Sequence, residues 1–362
     1  MTSWPSWLPL RANLRELSPY GAPQVPASAV MNTNENPYPP SAQLADAISE
    51  RIKEASLTLN RYPDRDALTL RTKLSDFIND LSGTNLTREN IWAANGSNEI
   101  IQSLFLAFGS GKAIGFIPSY SMHPLIAKVT QVHWIAGTRE SDFSLDTESA
   151  IAQIKQSQAV LAFLTTPNNP TGASIALAEI EKIAQHCTGL LVIDEAYAEF
   201  SDEKSAVTLI EKYPHIVVIR TMSKAFAFAG ARLGYLVAHP SVIESMFLVR
   251  LPYHLSALTQ VAAEVALDFR DELLGTVAQL RKDRESMRVD LERLGLIVLP
   301  SSSNFLLFTG FKQPSAQLWQ QMLDRGVLIR DVGLLGYLRV TIGNEAENRK
   351  FIETLSACLG EE

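Results

Sequence analysis

A lysine follows a short apolar segment a little past the middle of the chain. Lys224 lies in Thr221-Met222-Ser223-Lys224, directly after a predicted strand at residues 216–220. Burial lowers the pKa of a lysine, because the ammonium group loses its hydration, and the neutral amine is a nucleophile. A solvated surface lysine is the alternative. Eight residues further on is Arg232, and Ser223 and Arg232 could together hold a phosphate through a hydroxyl and a bidentate guanidinium.

Polar side chains also follow two other predicted strands. Asp194 ends an apolar strand, where an ionised carboxylate is costly unless it has a partner such as a protonated ring nitrogen of a bound cofactor. The alternative is an aspartate that caps a helix. Tyr197 and Asn169 could both reach an oxygen on the same ring, although Asn169 also fits an ordinary turn in the segment 165–172.

A glycine-containing loop offers a second phosphate site. Asn95-Gly96-Ser97-Asn98 joins a predicted strand to an amphipathic helix. Gly96 admits close approach of the backbone, and the N–H groups at the start of a helix bind phosphate. A plain capped helix is the alternative. Tyr120 follows another strand, where its ring could stack on a cofactor or be an ordinary surface side chain.

The elements that position these residues alternate in type. Apolar strands separated by amphipathic helices predict an α/β domain with a mostly parallel sheet, and such sheets bind ligands at the carboxyl ends of their strands. Every candidate above lies at such an end. The predicted strands cover residues 90–94, 114–117, 132–135, 160–164, 190–193, 216–219 and 233–237.

The two ends of the chain differ from this middle part. Eight of the 18 prolines fall within residues 1–40, which predicts an extended arm that packs on the small domain and on a partner subunit, with a disordered tail as the alternative. Residues 41–250 are the predicted large domain. Residues 251–362 are predicted to form a smaller α+β domain, beginning with a helical stretch broken near residues 273–275.

Composition excludes several functional classes. The 362 residues include 32 Lys and Arg against 39 Asp and Glu, a net charge of −7, so no basic face for nucleic acid or an anionic membrane is expected. No apolar run approaches the ~20 residues that span a bilayer. Cys187 and Cys358 lack disulfide or metal spacing. We expect a cytoplasmic enzyme without a metal.

The order and spacing of the candidates are more specific than each one alone. Asp194 follows Asn169 by 25 residues, Lys224 follows Asp194 by 30 and Arg232 follows Lys224 by 8. In this pattern the chain resembles the aspartate-aminotransferase superfamily, the fold type I enzymes dependent on pyridoxal 5'-phosphate (PLP). The segments 32–40, 61–64 and 252–256 resemble histidinol-phosphate aminotransferases, particularly actinobacterial members.

The resemblance implies a large domain with a mostly parallel seven-stranded sheet between helices, and a smaller α+β domain. It implies reversible ping-pong amino transfer between L-glutamate or 2-oxoglutarate and imidazole acetol phosphate or L-histidinol phosphate, in histidine biosynthesis. An aromatic-amino-acid aminotransferase of the same subfamily is the near alternative. A non-catalytic regulatory module with the same fold is the remote one.

The resemblance also implies roles for the site residues. Lys224 would carry PLP as a Schiff base and shuttle a proton, Tyr120 would stack on the ring, and Asn169, Asp194 and Tyr197 would tune it. Tyr62 of the partner subunit would complete the phosphate site, so the active unit would be a homodimer. The remaining cofactor-binding residues would be Gly96, Ser97, Asn98, Thr221, Ser223 and Arg232.

For the substrate, Arg339 resembles the arginine that clamps the α-carboxylate of the amino donor. A phosphate ester in the same pocket needs further donors, for which Arg330 and Tyr20 are candidates. Arg330 could instead pair with Asp331 or a surface carboxylate. The imidazole would lie among Tyr20, Tyr120 and Tyr253, with Asn34 at the pocket mouth. The histidines show no metal-ligand spacing, and of them only His254 is expected to approach the site.

Overall fold

The computed structural model describes residues 4–360, in which strands and helices alternate along most of the chain. The strands are β1 (Ala29–Val30), β2 (Ile91–Ala94), β3 (Lys112–Ile117), β4 (His133–Thr138), β5 (Leu161–Thr165), β6 (Leu190–Asp194), β7 (Ile216–Thr221), β8 (Gly234–Ala238), β9 (Ile297–Val298), β10 (Phe305–Thr309), β11 (Val327–Leu328) and β12 (Leu338–Thr341). The α-helices are α1 (Ala12–Arg15), α2 (Ala42–Ser56), α3 (Leu68–Ser82), α4 (Ser97–Phe108), α5 (Met122–Thr130), α6 (Thr147–Ser157), α7 (Leu177–Ala184), α8 (Pro240–Val249), α9 (Ala257–Asp268), α10 (Arg270–Arg293), α11 (Ser315–Asp324) and α12 (Glu345–Gly360).

Strands β2 to β8 form a seven-stranded sheet in the order β2-β8-β7-β6-β5-β3-β4. Apart from the edge strand β4, their side chains are mostly buried on both faces, because both faces are covered. In β6, Leu191 and Ile193 belong to one buried cluster and Val192 to the other. The α/β fold with a mostly parallel sheet is thereby confirmed.

The antiparallel strand of this sheet is β8, and its direction matters for the site. It pairs antiparallel with both β7 and β2, so its first residue lies where those strands end. Gly234 is the register partner of both Thr221 and Ala94. The loops after β7 and β2 and the loop before β8 therefore meet at one edge of the sheet.

The C-terminal part builds a second, smaller set of elements. Strands β9, β10 and β12 form an antiparallel sheet in the order β12-β10-β9, while β11 pairs in parallel with β1 from the N-terminal region. An isolated bridge joins Arg330 to Arg339. The division into domains at residues 41–250 and 251–362 remains a proposal.

The helical stretch after residue 256 breaks earlier than its sequence predicts. The break falls at Phe269, between α9 and α10, and not near residues 273–275. Phe269 has φ −102° and ψ 18°, outside helical geometry, so it ends one helix and begins the next. Gly275 is tolerated inside α10, where it is exposed to solvent.

The N-terminal region is not uniformly extended. Helix α1 forms one turn in the proline-free stretch between Pro9 and Pro19. Just before and within it, Arg11 and Asn13 donate side-chain hydrogen bonds to carbonyls near the end of α5, at 2.9 and 2.7 Å. The arm therefore touches the large sheet unit as well as β11. Residues 1–3 of the predicted arm and residues 361–362 of the predicted small domain lie outside the described residues. Within residues 4–360, no helix is long and apolar enough to cross a membrane.

Candidate active site

A cavity of about 620 Å³ opens at the edge of the sheet where the parallel strands end. This volume is within the range of small-molecule sites. Polar and charged side chains from the sheet, the N-terminal arm and the C-terminal elements line it. The lining includes these predicted site residues: Tyr20, Asn34, Ser97, Asn98, Tyr120, Asn169, Asp194, Tyr197, Thr221, Ser223, Lys224, Arg232, Arg330 and Arg339.

Lys224 reaches this cavity from the loop after β7. Its Nζ donates a hydrogen bond to the carbonyl oxygen of Thr33 at 2.9 Å. Burial lowers the pKa of Lys224 to about 8, and the nearby positive charges of Arg339 and Arg232 act in the same direction. A substantial fraction of the amine is therefore neutral near physiological pH and available as a nucleophile.

Asp194 ends β6 in the interior, and its carboxylate has a side-chain partner there. The Nε2 of His123, in the first turn of α5, lies 3.0 Å from Asp194 Oδ2, and both residues are buried. The other oxygen, Oδ1, accepts from the backbone N–H of Ala196 at 3.2 Å. The carboxylate is thus fixed in orientation at the cavity wall.

Two further side chains are joined to the N-terminal region. The phenol oxygen of Tyr197 accepts a hydrogen bond from Asn34 Nδ2 at 2.8 Å. Asn34 has φ 57° and is held by Thr341, whose hydroxyl donates to Asn34 Oδ1 at 3.0 Å. Burial raises the pKa of Tyr197, so the phenol keeps its proton at neutral pH. Tyr197 can therefore donate a hydrogen bond into the cavity.

The predicted phosphate site brings together three loops. Gly96, with φ 83°, precedes the first residue of α4, and no side chain caps that helix start. A Cβ on Gly96 would lie 2.5 Å from Arg232 Nη2, and a Cβ on Gly234 would lie 2.6 Å from the backbone N of Ser97. The two glycines thus let the loops pack closely. Arg232 Nη1 donates to Ser223 Oγ at 3.3 Å.

Two arginines enter the cavity from the C-terminal elements. Arg339 Nη1 donates to Asn169 Oδ1 at 2.5 Å and Nη2 donates to the carbonyl of Asn32 at 2.8 Å, while Nε lacks a hydrogen-bond partner among residues 4–360. Burial lowers the pKa of Arg339 to about 10. Within the same residues, Arg330 makes no ion pair with Asp331, and both line the cavity. The alternative in which these two neighbours pair is therefore not observed.

Aromatic residues predicted for the site take different positions. Tyr120 lines the cavity and donates its phenol hydrogen to Asn98 Oδ1 at 3.1 Å, and burial raises its pKa. Tyr20 lines it from the arm and is half exposed. Tyr62 and Tyr253 lie outside this cavity and stack on each other, with ring centroids 4.3 Å apart. His254 also lies outside, with its Nε2 3.0 Å from the carbonyl of Ala93.

Some site residues were missed by sequence reasoning. His123 is one of the histidines that are not expected near the site, yet it contacts Asp194 directly. The available signal is that His123 lies three residues after Tyr120, which itself follows a predicted strand. Thr33 and Asn32 adjoin Asn34 and act through backbone carbonyls, which side-chain chemistry cannot predict.

This fold and this site define a class: α/β enzymes in which a partly buried lysine after a strand shares a cavity with a fixed carboxylate and with donors for an anion. The chain matches the family model "Aminotransferase class I and II" over residues 29–355. It belongs to that family, which confirms the superfamily resemblance drawn from Asn169, Asp194, Lys224 and Arg232.

Individual relatives are similar in sequence to this chain over nearly its whole length. The histidinol-phosphate aminotransferase of Rhodococcus opacus (strain B4) is 53% identical, covering 95% of this chain and 91% of the relative. That of Mycobacterium sp. (strain JLS) is 52% identical, covering 98% and 97%. Among solved structures, the histidinol-phosphate aminotransferase of Sinorhizobium meliloti in complex with pyridoxal-5'-phosphate has a TM-score of 0.85 at 23% identity, covering 98% of each chain, which shows the shared fold.

The donor set of the cavity fits PLP. Ser223, Arg232 and the uncapped start of α4 offer donors for a phosphate, and a side chain on Gly96 would displace Arg232 from this place. Asp194 could accept a hydrogen bond from a protonated ring nitrogen, and Tyr197 could donate one to a ring oxygen. Lys224 supplies the amine that an aldehyde requires.

Proposed function

We propose that this chain is a PLP-dependent histidinol-phosphate aminotransferase. It would transfer an amino group reversibly between L-glutamate and imidazole acetol phosphate, giving 2-oxoglutarate and L-histidinol phosphate in histidine biosynthesis. The observation that carries the proposal is that Lys224 shares one cavity with two arginines, Arg330 and Arg339, in a chain 52–53% identical to enzymes of that name.

The cofactor, when bound, supplies an electron sink that stabilises negative charge on the substrate carbon bearing the amino group. Asp194 would hold the proton on the ring nitrogen, which makes that sink effective. Its carboxylate is oriented for this by His123 and by the N–H of Ala196. Tyr197 and Asn169 would contact the ring oxygen, and Tyr120 would stack on the ring.

Lys224 would act twice, as the group that binds the cofactor and as the base that takes the proton from the substrate carbon. Both roles require an unprotonated amine. Because its pKa is lowered to about 8, more of the amine is unprotonated near neutral pH than in a solvated lysine, although the amine is then a weaker base. The hydrogen bond to the carbonyl of Thr33 holds Nζ inside the cavity.

The two arginines would bind the anionic end of either substrate. Arg339 has the planar donor geometry that a carboxylate of glutamate matches, and its Nε lacks a protein partner within the described residues. A phosphate ester carries more charge and more acceptor oxygens than a carboxylate. Arg330 and the phenol of Tyr20, which line the same cavity, would supply the additional donors.

We propose that the active unit is a homodimer in which Tyr62 of the partner subunit binds the cofactor phosphate. The ring of Tyr62 is 78% exposed and lies outside its own cavity, stacked on Tyr253. Exposed apolar side chains lie within six positions of Tyr62 or Tyr253 along the chain, and a partner would cover them. Those side chains are Leu57, Leu59, Leu68, Leu248 and Leu251. Because the two rings stack, Tyr253 would approach the partner's site together with Tyr62, which would account for its expected contact with substrate.

A mixed dimer tests this arrangement. Subunits carrying Lys224→Ala would be combined with subunits carrying Tyr62→Phe, each poorly active alone. In the hybrid one site has both wild-type groups, so activity should rise to about half that of the wild-type dimer. A hybrid no more active than its parents would exclude the sharing of Tyr62.

An aromatic-amino-acid aminotransferase would need the same cofactor residues, but this alternative is not favoured, because the relatives at 52–53% identity are histidinol-phosphate aminotransferases. A non-catalytic module is not favoured, since every predicted ring-contacting residue is present in the cavity. Incubating the PLP-loaded protein with L-histidinol phosphate and 2-oxoglutarate tests the proposal: glutamate should form, and its absence would refute the assignment. A cytoplasmic location stays a prediction from the sequence.

A further inference from the structure

The loop that carries Tyr62 is held in place by side-chain hydrogen bonds from several other elements. It joins α2 to α3 and contains no regular secondary structure between residues 57 and 67. Three successive carbonyls of this loop, those of Asp64, Arg65 and Asp66, each accept a hydrogen bond from a different side chain. The donors are Gln260 at 2.9 Å, Arg250 at 2.8 Å and Arg71 at 3.2 Å.

Arg250 makes the central contacts. It follows the last residue of α8, and its side chain is only 8% exposed. Besides the carbonyl of Arg65, it contacts the carboxylate of Asp66 through Nη2. Its guanidinium also lies 4.3 Å from the centroid of the Phe247 ring, an attractive cation–π contact. The contacts with residues 65 and 66 fix the backbone three to four positions after Tyr62.

The other two donors connect the loop to the rest of the fold. Arg71 is buried, lies 5.2 Å from the same Phe247 ring, and also donates to the carbonyls of Arg88 and Ile91 at 2.7 Å. Gln260 in α9 is buried and donates to the carbonyl of Leu255 as well as to that of Asp64. The loop is therefore tied to helices α3, α8 and α9 at once.

The loop also organises itself around two aspartates. The carboxylate of Asp64 accepts from the backbone N–H of Asp66 at 3.0 Å and of Leu68 at 2.8 Å, where α3 begins. Hydrogen bonds from Arg65 and Arg250 lower the pKa of Asp66 to about 2. The Asp66 carboxylate therefore remains ionised, and its pair with Arg250 stays formed, at any pH suited to an activity assay.

Rigid backbone beneath an exposed ring has a physical use. An exposed tyrosine on a mobile loop loses conformational entropy when it binds, and this loss subtracts from affinity. A loop already fixed in place avoids most of that cost. We propose that Arg250, with Asp66, Gln260 and Arg71, is a positioning residue that presents Tyr62 to the cofactor phosphate in the partner subunit's site. The proposal rests on the proposed homodimer with shared Tyr62.

The test compares the affinities of two cofactor forms in the intact dimer. Arg250→Met keeps the apolar stem over Phe247 and removes the guanidinium. The dissociation constant for PLP should rise about 10-fold, while that for pyridoxal, which has no phosphate, should stay unchanged. General damage to the fold would weaken both. Arg270→Met is the matched control, because Arg270 bonds Asp80 of the same helix α3 and should change neither affinity.

The variant Tyr62→Phe separates the positioning role of Arg250 from the proposal that Tyr62 is shared between the subunits. If Tyr62→Phe leaves PLP affinity unchanged, the shared tyrosine and the positioning role both fail. If Tyr62→Phe weakens the binding of PLP and Arg250→Met does not, only the positioning role fails. The double variant should bind PLP no more weakly than Tyr62→Phe alone, because Arg250 acts through Tyr62, and additive losses would overturn the proposal. Should Arg250→Met fail to fold, Asp66→Asn gives the same comparison with a smaller change.

Discussion

Arg330 and Arg339 face each other across an antiparallel bridge in which the backbone N–H of each donates to the carbonyl of the other at 2.9 Å. Residues directly opposite in such a pair project to the same face, and both side chains line the cavity. The backbone therefore brings two positively charged side chains into one cavity, and the charge of Arg330 contributes to the lowered pKa of Arg339. An anionic ligand offsets their mutual repulsion, and a more highly charged ligand offsets more of it.

Removing Arg330 should affect the two substrates differently. Arg330→Met should raise the KM for L-histidinol phosphate about 10- to 100-fold, the effect of losing one or two charge-assisted hydrogen bonds. The KM for L-glutamate should change less, because Arg339 alone matches a carboxylate. Steady-state kinetics of both directions measure this, and equal losses for both substrates would argue against the role given to Arg330.

His123 should matter through Asp194. His123→Phe keeps a buried ring but leaves the Asp194 carboxylate without its side-chain partner, so kcat should fall about 10-fold or more while KM changes little. His215→Phe is the control, since the His215 ring contacts the carbonyl of Ala184 and the ring of Tyr213, both outside the cavity. Similar kcat values for the two variants would remove His123 from the site.

In the cofactor-free protein, the buried charge of Lys224 should lower the free energy of unfolding. Its pKa is about 8 when folded and 10.5 in the unfolded chain, so the folded state binds the proton less tightly. Well below pH 8 the amine is protonated in both states, and the folded state bears the full penalty of burying the charge. As the pH rises from 8 towards 10.5, the folded lysine sheds its proton and the penalty disappears.

The variant Lys224→Met should therefore be more stable than the wild type at pH 7, by about 3 kcal/mol, and by only about 1 kcal/mol at pH 9.5. Urea unfolding of both cofactor-free proteins at the two pH values measures this difference. A gap that is absent or that widens with pH would show that the amine is not desolvated as described.

A buried ionic cluster lies behind the site. Arg220 Nη1 is 2.7 Å from Glu195 Oε2 and Nη2 is 3.3 Å from Glu199 Oε1, with all three side chains 3% exposed. Burial raises the pKa of Glu199. Arg220→Met should lower the free energy of unfolding by about 3–5 kcal/mol at pH 7.5, because it strands carboxylates in the core.

This loss should shrink at pH 5. Carboxyl groups with raised pKa values bind protons in the folded state that the unfolded chain has already released, so stability falls as the pH rises. Arg288→Met is the control, since Arg288 pairs with Glu285 and Glu292 on the surface and should cost under about 1 kcal/mol. Equal losses for the two variants would contradict the account of the cluster.

The fold was largely predictable because its strands are buried on both faces. An apolar run such as Leu191-Val192-Ile193 is informative in a doubly covered sheet, and all seven predicted strands are present. The reversed direction of β8 was not predictable, since apolar patterning carries no information on strand direction. The helix break was misplaced because Gly275 is tolerated on an exposed helix face, whereas Phe269 carries no sequence signal for a break.

The site was predictable where residues follow strand ends. Asn169, Asp194 and Lys224 each follow such an end, while Arg232 precedes the antiparallel strand β8. The sheet brings all four to one cavity. Contacts between distant segments were not predictable. The pairing of Asp194 with a histidine from α5, and the stacking of the two exposed tyrosines, depend on tertiary packing.

Substrate preference shows whether the cavity recognises a phosphorylated amino donor through Arg330 and Arg339. We predict that kcat/KM for L-histidinol phosphate exceeds that for L-histidinol and for L-phenylalanine by about 10³-fold or more, because only the phosphate engages both Arg330 and Arg339. The carboxylate of L-phenylalanine would engage Arg339 alone, and L-histidinol has no anionic group. The three amino donors would be compared with 2-oxoglutarate as the common acceptor. A kcat/KM for L-phenylalanine equal to or above that for L-histidinol phosphate would contradict it.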